Sequence, residues 1–586
     1  MAPFLKQLLQ ISQLVMGPLI STPESSGLAA IRVHLTPVFS SFSSASPQPR
    51  HLAIDMTLSS PEAEADTELL SLPLIIGNVP SQQYNKDALS ASDASGPLDL
   101  EVRDEGNTRK WIVQRRTVGD VTVAFTATPR VVNSDTPPGP RIDLREQFGG
   151  LLGVGSTFLP LPSDRDSTSQ YRCTLQWDLS KSPEGTRSVW SFGEGAGPIV
   201  RIGSLSVLRD SVIGVGPLKS FVDARADPSG EIFNVYWFGD PEFDVLQFGK
   251  DTKVLFEKMS KFFGEASSKE NSYRIFLRNT PRGNGGMAFQ RSFILEYDKD
   301  ILRLEHTVFP VVAHEMVHNW PLLGKETDGS DQDIDTSDES WYSEGVANYY
   351  ATMLPYRFGL RDKAYVMKQI NDFLSGYYTS PVVNMSNSEA TRISWQEPNA
   401  LRLRYNRGFT YILKVGAQLR DKSRNKTTLD NVIYELLERK RHGQSYKLKD
   451  WLAILHRELG QSAVDEFYEM AGGCKLVIPQ PDFLSQEFGM KLVRQDQEIL
   501  ELGFDPSSIS DRTISGLKEN TRASEAGVED GDKILANSFM FEIGDDYQAM
   551  MNLVVKRPPG PEGKELSISY WPRAYEKAEC YQITEA

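Results

Sequence analysis

Hydrophobic and polar positions change their rhythm twice along the chain. From about residue 25 to 225, short runs alternate apolar and polar residues: AAIRVHLTPVF (29–39), KWIVQRRTVGDVTVAFTATPRVV (110–132) and YRCTLQWDLS (171–180). A period of two places alternate side chains on opposite faces of a strand. SDTPPGPR (134–141) and GPLDLEVRDEGNTRK (96–110) read as the turns and loops between strands. The stretch shows no acid–base pair or ligand cluster, and it is read as a β-sandwich supporting a neighbour. The rhythm then shifts. TKVLFEKMSKFFGE (252–265) has apolar residues at helical spacing, and SYRIFLRNT (272–280) and RSFILEYDK (291–299) read as strands. From 300 to about 475 the chain is mostly helical, with amphipathic runs in DNVIYELLERKRHG (430–443) and LKDWLAILHREL (448–459). The last hundred residues are mixed again. The expectation is a multidomain α+β protein: an N-terminal segment (1–24), a β-rich domain (25–225), a mixed and then helical domain (226–480) and a small C-terminal domain (490–580).

Composition agrees and narrows the function. A chain of 586 residues is too long for one core. Hydrophobic residues at 40% and aromatics at 10% fit a folded protein. A formal net charge of −15 argues against a general nucleic-acid binder, which needs clustered Lys and Arg. The three cysteines, Cys173, Cys474 and Cys580, are far apart and form no disulfide framework, which favours a reducing, cytoplasmic compartment. The N-terminal MAPFLKQLLQISQLVMGPLI has the outline of a signal peptide, with secretion as the alternative. Gln7, Gln10, Ser12 and Gln13 interrupt it and no clear cleavage site follows. No other stretch approaches the roughly 18 uninterrupted apolar residues of a transmembrane span.

The candidate chemistry is concentrated in VVAHEMVHNW (311–320), which holds two of the seven histidines. Thr307 is the expected cap of a helix here, Pro310 fits its first turn and Pro321 would stop it. Residues four apart share a helix face, so His314 and His318 can reach one ion. Glu315 can lie beside that ion without binding it. This is the HExxH arrangement, two imidazole ligands and a carboxylate that takes a proton. The competing reading is two histidines in a helical core. Glu344, 26 positions after His318, lies in ESWYSEGVANYY (339–350), a second helix. Two histidines and one carboxylate leave zinc an open position, as a catalytic site requires. Between the helices, KETDGSDQDIDTSDE (325–339) carries seven acidic residues. Its spacing is not that of an EF-hand, and it is read as a solvated acidic loop. In LRLRYNRGFTYILKVG (401–416), Tyr405 precedes Asn-Arg-Gly and an apolar helix.

HEMVHNW, WYSEGVANYY and YNRG, in this order, resemble the gluzincin metallopeptidases. Within them the chain is similar to the glycyl aminopeptidase family, relatives of aminopeptidase N. Trp320 and the doubled Tyr349-Tyr350 favour that family. The resemblance implies a β-rich N-terminal domain, a thermolysin-like catalytic domain over 226–480 and a C-terminal PDZ-like domain over 490–580. It implies Zn2+ held by His314, His318 and Glu344, Glu315 as general base, and Tyr405 as the hydroxyl that stabilises the tetrahedral oxyanion. The family's Gly-Gly-Leu-Glu-His segment lies on a substrate-binding edge strand, where its glutamate pairs with the substrate amine. The corresponding NGGMAFQRS (284–292) keeps Gly285, Gly286, Met287 and Ser292 but has Ala288 for the glutamate and Phe289 for the histidine. Residues 501–536 resemble a PDZ domain, with Leu502, Gly503 and Phe504 at the loop that would capture a peptide C-terminus. A structural PDZ fold with an unused groove is the alternative. The expected function is a zinc-dependent aminopeptidase on short peptides. A catalytically weak PDZ adaptor on a peptidase scaffold is the second reading, and an epoxide hydrolase on a lipid is the third.

Overall fold

The structure, a computed structural model, describes residues 27–585 except 41–47, 134–135, 137–138, 164–168, 282–284, 299–304, 321–322, 324–339, 395–396, 445, 539 and 558–563. The N-terminal segment 1–24, the helix stop at Pro321 and the acidic loop 325–339 therefore lie outside the described residues.

Two large sheets, with a three-stranded sheet over 68–113 that carries Trp111, build most of the N-terminal domain. The strand Ala29–Phe39 pairs antiparallel with Pro49–Leu58 and parallel with Tyr171–Trp177, inside a seven-stranded sheet. Its burial alternates, so Ile31, Val33 and Leu35 face the core while Arg32 and His34 point away. Val121–Ala127 repeats the pattern one strand further. A five-stranded sheet built around Gly150–Val154 and Val212–Gly216 lies opposite. Ile31, Met56, Trp111, Trp190, Ile213 and Val215 share one apolar core between the sheets, as a sandwich requires.

The next domain opens with a second five-stranded sheet. Its strands are β1 (Lys219–Ser220), β2 (Phe233–Trp237), β3 (Tyr273–Asn279), β4 (Gly285–Phe289) and β5 (Ser292–Tyr297), in the order β1-β2-β3-β5-β4. The pairs β2–β3 and β3–β5 are parallel, β4 is antiparallel to β5, and β4 stands at the edge. β2, β3 and β5 are buried almost throughout, hence their near-continuous apolar runs. One face, with Tyr236, Phe276 and Ile294, packs on the N-terminal domain. The other, with Val235, Ile275, Leu277, Phe293 and Leu295, packs on the helices.

Those helices include α1 (Val245–Phe262), α2 (Glu305–Val317), α3 (Ser340–Arg357), α4 (Lys363–Tyr378) and α5 (Pro398–Ser423). α2 already runs through Glu305, so Thr307 lies inside it instead of capping it. Pro310 is correspondingly in the second turn. Apolar periodicity sets the phase of a helix and not its start. α3 and α5 touch through glycines: a Cβ on Gly345 would overlap the backbone of Gly408, and one on Gly408 would overlap the Trp341 carbonyl. This close approach holds the two helices at the distance the site needs.

The C-terminal residues divide in two. The ribbon Met490–Arg494 with Tyr581–Glu585 packs Met490, Leu492 and Ile583 into the helical core. The chain between them has its own small core, including Leu502, Phe504, Ile514, Val528 and Leu553. Its three-stranded sheet joins Lys533–Asn537, Met551–Arg557 and Lys564–Tyr570. A short helix, α6 (Met540–Asp545), turns back toward α5. Among the described residues, no helix is long and apolar enough to cross a membrane.

Candidate metal centre

α2 and α3 bring three donor atoms together. His314 Nε2 lies 3.0 Å from Glu344 Oε2, His318 Nε2 lies 3.1 Å from His314 Nε2, and His318 Nε2 lies 3.5 Å from Glu344 Oε2. The histidines are one turn apart, with rings edge to face at 4.7 Å between centroids. Each turns its other nitrogen to α3. His314 Nδ1 donates to Asn348 Oδ1 at 2.7 Å, and His318 Nδ1 lies 3.4 Å from Ser343 Oγ. Such support fixes ring orientation and leaves the Nε2 lone pair of His314 for an ion. Asn348 and Glu344 are themselves one turn apart, so one face of α3 serves both nitrogens of His314. Burial pushes the Glu344 carboxyl up, but hydrogen bonds from His314 and His318 outweigh it and hold the group well below the usual carboxylate range. Burial lowers His318, and Glu344 more than restores it.

The donor set suits zinc. Bonds of about 2.0–2.2 Å at tetrahedral angles put donor atoms about 3.3–3.6 Å apart. The three separations here, 3.0–3.5 Å, are close to that spacing. His314, His318 and Glu344 are the residues that could hold the ion.

Glu315 faces the edge strand. A Cβ on Gly286 would lie 3.0 Å from Glu315 Cγ and 3.2 Å from Val311. Any larger residue at 286 would push into the carboxylate. Burial raises the Glu315 pKa, opposed by the two histidines and by the Ala288 backbone amide. Alternate residues of β4 take opposite faces. Gly286 and Ala288 look toward α2, while Met287 and Phe289 pack on the N-terminal domain.

Tyr405 sits within the 26-residue α5 instead of before a helix. Its ring is 5.7 Å from the His314 ring, at 27° between planes. The guanidinium carbons of Arg402 and Arg404 are each 5.4 Å from its centroid. From α6, Phe541 meets Tyr405 edge-on at 5.9 Å and lies 4.6 Å from the Arg402 guanidinium. Asp545, also on α6, pairs with Arg402 and accepts from Asn406 Nδ2 at 2.9 Å. Burial pushes Arg402 down to about 10, against the pull of Tyr405, Glu344 and Asp372.

His314, Glu315, His318, Glu344, Tyr405, Gly286 and Ala288 thus gather at one place. Leu502, Gly503 and Phe504 lie in the C-terminal core. Leu502 and Phe504 are buried, and Gly503 takes a left-handed φ of +80°. The Leu502 carbonyl accepts from Tyr570 at 2.7 Å and the Gly503 carbonyl from the Lys518 amide at 2.8 Å. Sequence reasoning missed Asn348, Ser343, Arg402, Phe541 and Asp545. Asn348 had a signal, its one-turn spacing from Glu344. Phe541 and Asp545 had none.

With this geometry in view, the likeness to known proteins is specific at the centre and structural over the whole. The family model described as M61 glycyl aminopeptidase matches residues 307–411, which span both histidines, Glu344 and Tyr405. That match supports a peptidase. An aminopeptidase N family protein from Idiomarina loihiensis is 16% identical over 95% of this chain and 98% of its own, with a TM-score of 0.63, and shares the fold. An M1 zinc metallopeptidase from Deinococcus radiodurans is 16% identical over 77% of this chain and 96% of its own, with a TM-score of 0.46. Leukotriene A4 hydrolase from Saccharomyces cerevisiae is 15% identical over 82% and 74%, also at 0.46. The last two scores are too low to extend the likeness further. No curated protein matches the chain.

Proposed function

We propose that this chain is a zinc-dependent metallopeptidase acting on short peptides, in the first instance as an aminopeptidase. The observation that carries the reading is the convergence of His314 Nε2, His318 Nε2 and Glu344 Oε2 within 3.0–3.5 Å, with Glu315 between them and a free sheet edge. Zinc, when bound by these three residues, supplies a Lewis acid that polarises the scissile carbonyl and lowers the pKa of a water.

The chain's own residues do the rest. Among the described residues β4 pairs only with β5, and its other edge would hold an extended peptide by main-chain hydrogen bonds. Gly286 lets that strand lie close to Glu315. The Glu315 carboxylate takes a proton from the attacking water and passes it to the leaving amine. Burial, which raises its pKa, suits it to both halves of that task. The Tyr405 hydroxyl donates to the carbonyl oxygen as negative charge develops there, an interaction stronger in the transition state than in the ground state.

Metal analysis and hydrolysis of a peptide mixture test this together. Near one zinc per chain is expected, with turnover lost to a chelator and restored by zinc. A protein that holds zinc yet cleaves no peptide would favour the second reading, an adaptor on a peptidase scaffold. Ala288 is the observation behind that reading, since it leaves the edge strand without an acidic group for a substrate amine.

A further inference from the structure

Beside β4, on the face away from α2, stands a group of charges from two domains. Arg278 of β3 and Glu296 of β5 are buried there with Asp143 of the N-terminal domain, and the half-buried Arg145 joins them. Arg278 Nε donates to Glu296 Oε1 at 2.8 Å, and its Nη1 donates to the Asp143 carbonyl at 2.7 Å. Arg145 Nη1 lies 2.9 Å from Glu296 Oε1. Arg130 reaches Asp143 Oδ2 at 3.3 Å, and Arg141 Nε lies 3.5 Å from Glu296 Oε2. Four guanidinium groups therefore face two carboxylates. Among the described residues the cluster is short of negative charge by two, in a protein whose overall charge is −15.

Arg141 is where that surplus meets the sheet edge. Its side chain is 24% exposed, whereas Arg278 is fully covered. Nη1 donates to the Gly139 carbonyl at 3.0 Å and Nε is buried 3.5 Å from Glu296 Oε2, which together fix the fork and leave Nη2 as the nitrogen beside β4. Nη2 lies 2.6 Å from where a Cβ on Gly285 would stand, so any side chain at 285 would displace it. Gly285 immediately precedes Gly286, which touches the catalytic base. β4 itself, Gly-Gly-Met-Ala-Phe, carries no charged group.

We infer that Arg141 is a substrate-binding residue that receives a carboxylate of the peptide lying on β4, within one or two residues of the bond cleaved. This rests on the peptidase reading above. A guanidinium fixed through Nη1 and Nε, with Nη2 beside the strand, is placed for a carboxylate, and the surplus of positive charge beneath it lowers the cost of bringing an anion there. A strand added to the edge of β4 sends alternate side chains to the face where Arg141 waits. The carboxylate is either an acidic side chain or the peptide's own C-terminus.

Matched short peptides separate the two sources: free acid against C-terminal amide, and internal Glu against Gln. kcat/KM is measured on the zinc-loaded protein, and binding by calorimetry on the zinc-loaded Glu315→Gln variant, which reads recognition without turnover. The expected result is a preference of roughly tenfold or more for the carboxylate member of one pair, carried by KM and by binding. Arg141→Gln should bring that ratio to near one, and Arg141→Lys, which keeps the charge but loses the fork, should leave it in between. Loss of the ratio in Arg141→Gln also excludes the Leu502–Phe504 turn as its source. Should Arg141→Gln misfold, the intermediate ratio in Arg141→Lys decides. Equal binding of both members of each pair by the Glu315→Gln protein with Arg141 intact, or a ratio that survives the addition of Arg141→Gln, overturns the inference. If wild type cleaves no peptide, the peptidase reading falls, and the binding ratios still decide the role of Arg141.

Discussion

The N-terminal domain and the C-terminal unit both fasten to the central domain through arginine–carboxylate contacts, but at different places. Asp143 and Arg145 join Arg278 and Glu296 on β3 and β5, strands already held on both sides by their ladders. Asp545 grips Arg402 and Asn406 on α5, the turn that also carries Tyr405, and Phe541 touches the Tyr405 ring itself. The first junction braces a framework. The second reaches Tyr405, the side chain proposed to donate to the carbonyl oxygen. Similar chemistry therefore serves stability in one place and positioning in the other, and what distinguishes them is the element underneath.

The reaction centre sets the scale for testing this contrast. Glu315→Gln should keep zinc and fold while kcat falls about 10²–10⁴-fold, because the amide cannot accept the proton. Near-normal turnover in that variant would remove Glu315 from its role. Next in size is Arg278→Ala, which removes the buried donors to Glu296 and the Asp143 carbonyl and leaves a cavity where the guanidinium stood. Breaking such a cluster costs about 3–5 kcal/mol. Thermal unfolding should show a large fall in Tm, with kcat of the surviving folded protein little changed. A large kcat effect without loss of stability would erase the distinction between the junctions.

Asp545→Asn should behave in the opposite way. It weakens the hold on Arg402 at a cost of about 1–3 kcal/mol, a charge-assisted hydrogen bond. Steady-state kinetics should show kcat reduced by roughly tenfold, as Tyr405 loses its backing, with a smaller change in KM. If only Tm moves, the C-terminal unit is a brace like the N-terminal one. Phe541→Leu, the mildest change, keeps apolar volume but removes the edge-to-face contact, worth about 0.5–1.5 kcal/mol. A drop in kcat of a few-fold is expected, and an unchanged kcat would confine the role of α6 to Asp545.

Much of the centre was legible because it rests on local geometry. Four-residue spacing fixes a shared helix face whatever surrounds it, so His314 and His318 could be paired by inspection. Glu344 stood out as a carboxylate within an aromatic, small-residue helix that was bound to be buried. The β-rich first domain and the helical stretch after 300 followed from a change of period. Other readings needed more than period. The start of α2 escaped because Thr307 is a plausible cap whose use depends on what precedes it. The apolar run after Gly408 suggests a helix that follows Tyr405, whereas the helix already begins at Pro398 and includes it. In fact Gly408 is there to let α3 approach α5.

The sequence by itself determined which two histidines and which glutamate come together and where the chain changes from β-rich to helical, since each rests on spacing within one element or on runs of one texture. Only the tertiary structure decided which remote side chains complete the site. Arg141 reaches Gly285 from 144 positions away, and Phe541 reaches Tyr405 from 136. No periodicity links such pairs. They meet because the second face of the sheet must be covered by the N-terminal domain and α5 by the C-terminal unit, and the burial of those apolar faces carries the arginine, the phenylalanine and Asp545 into place.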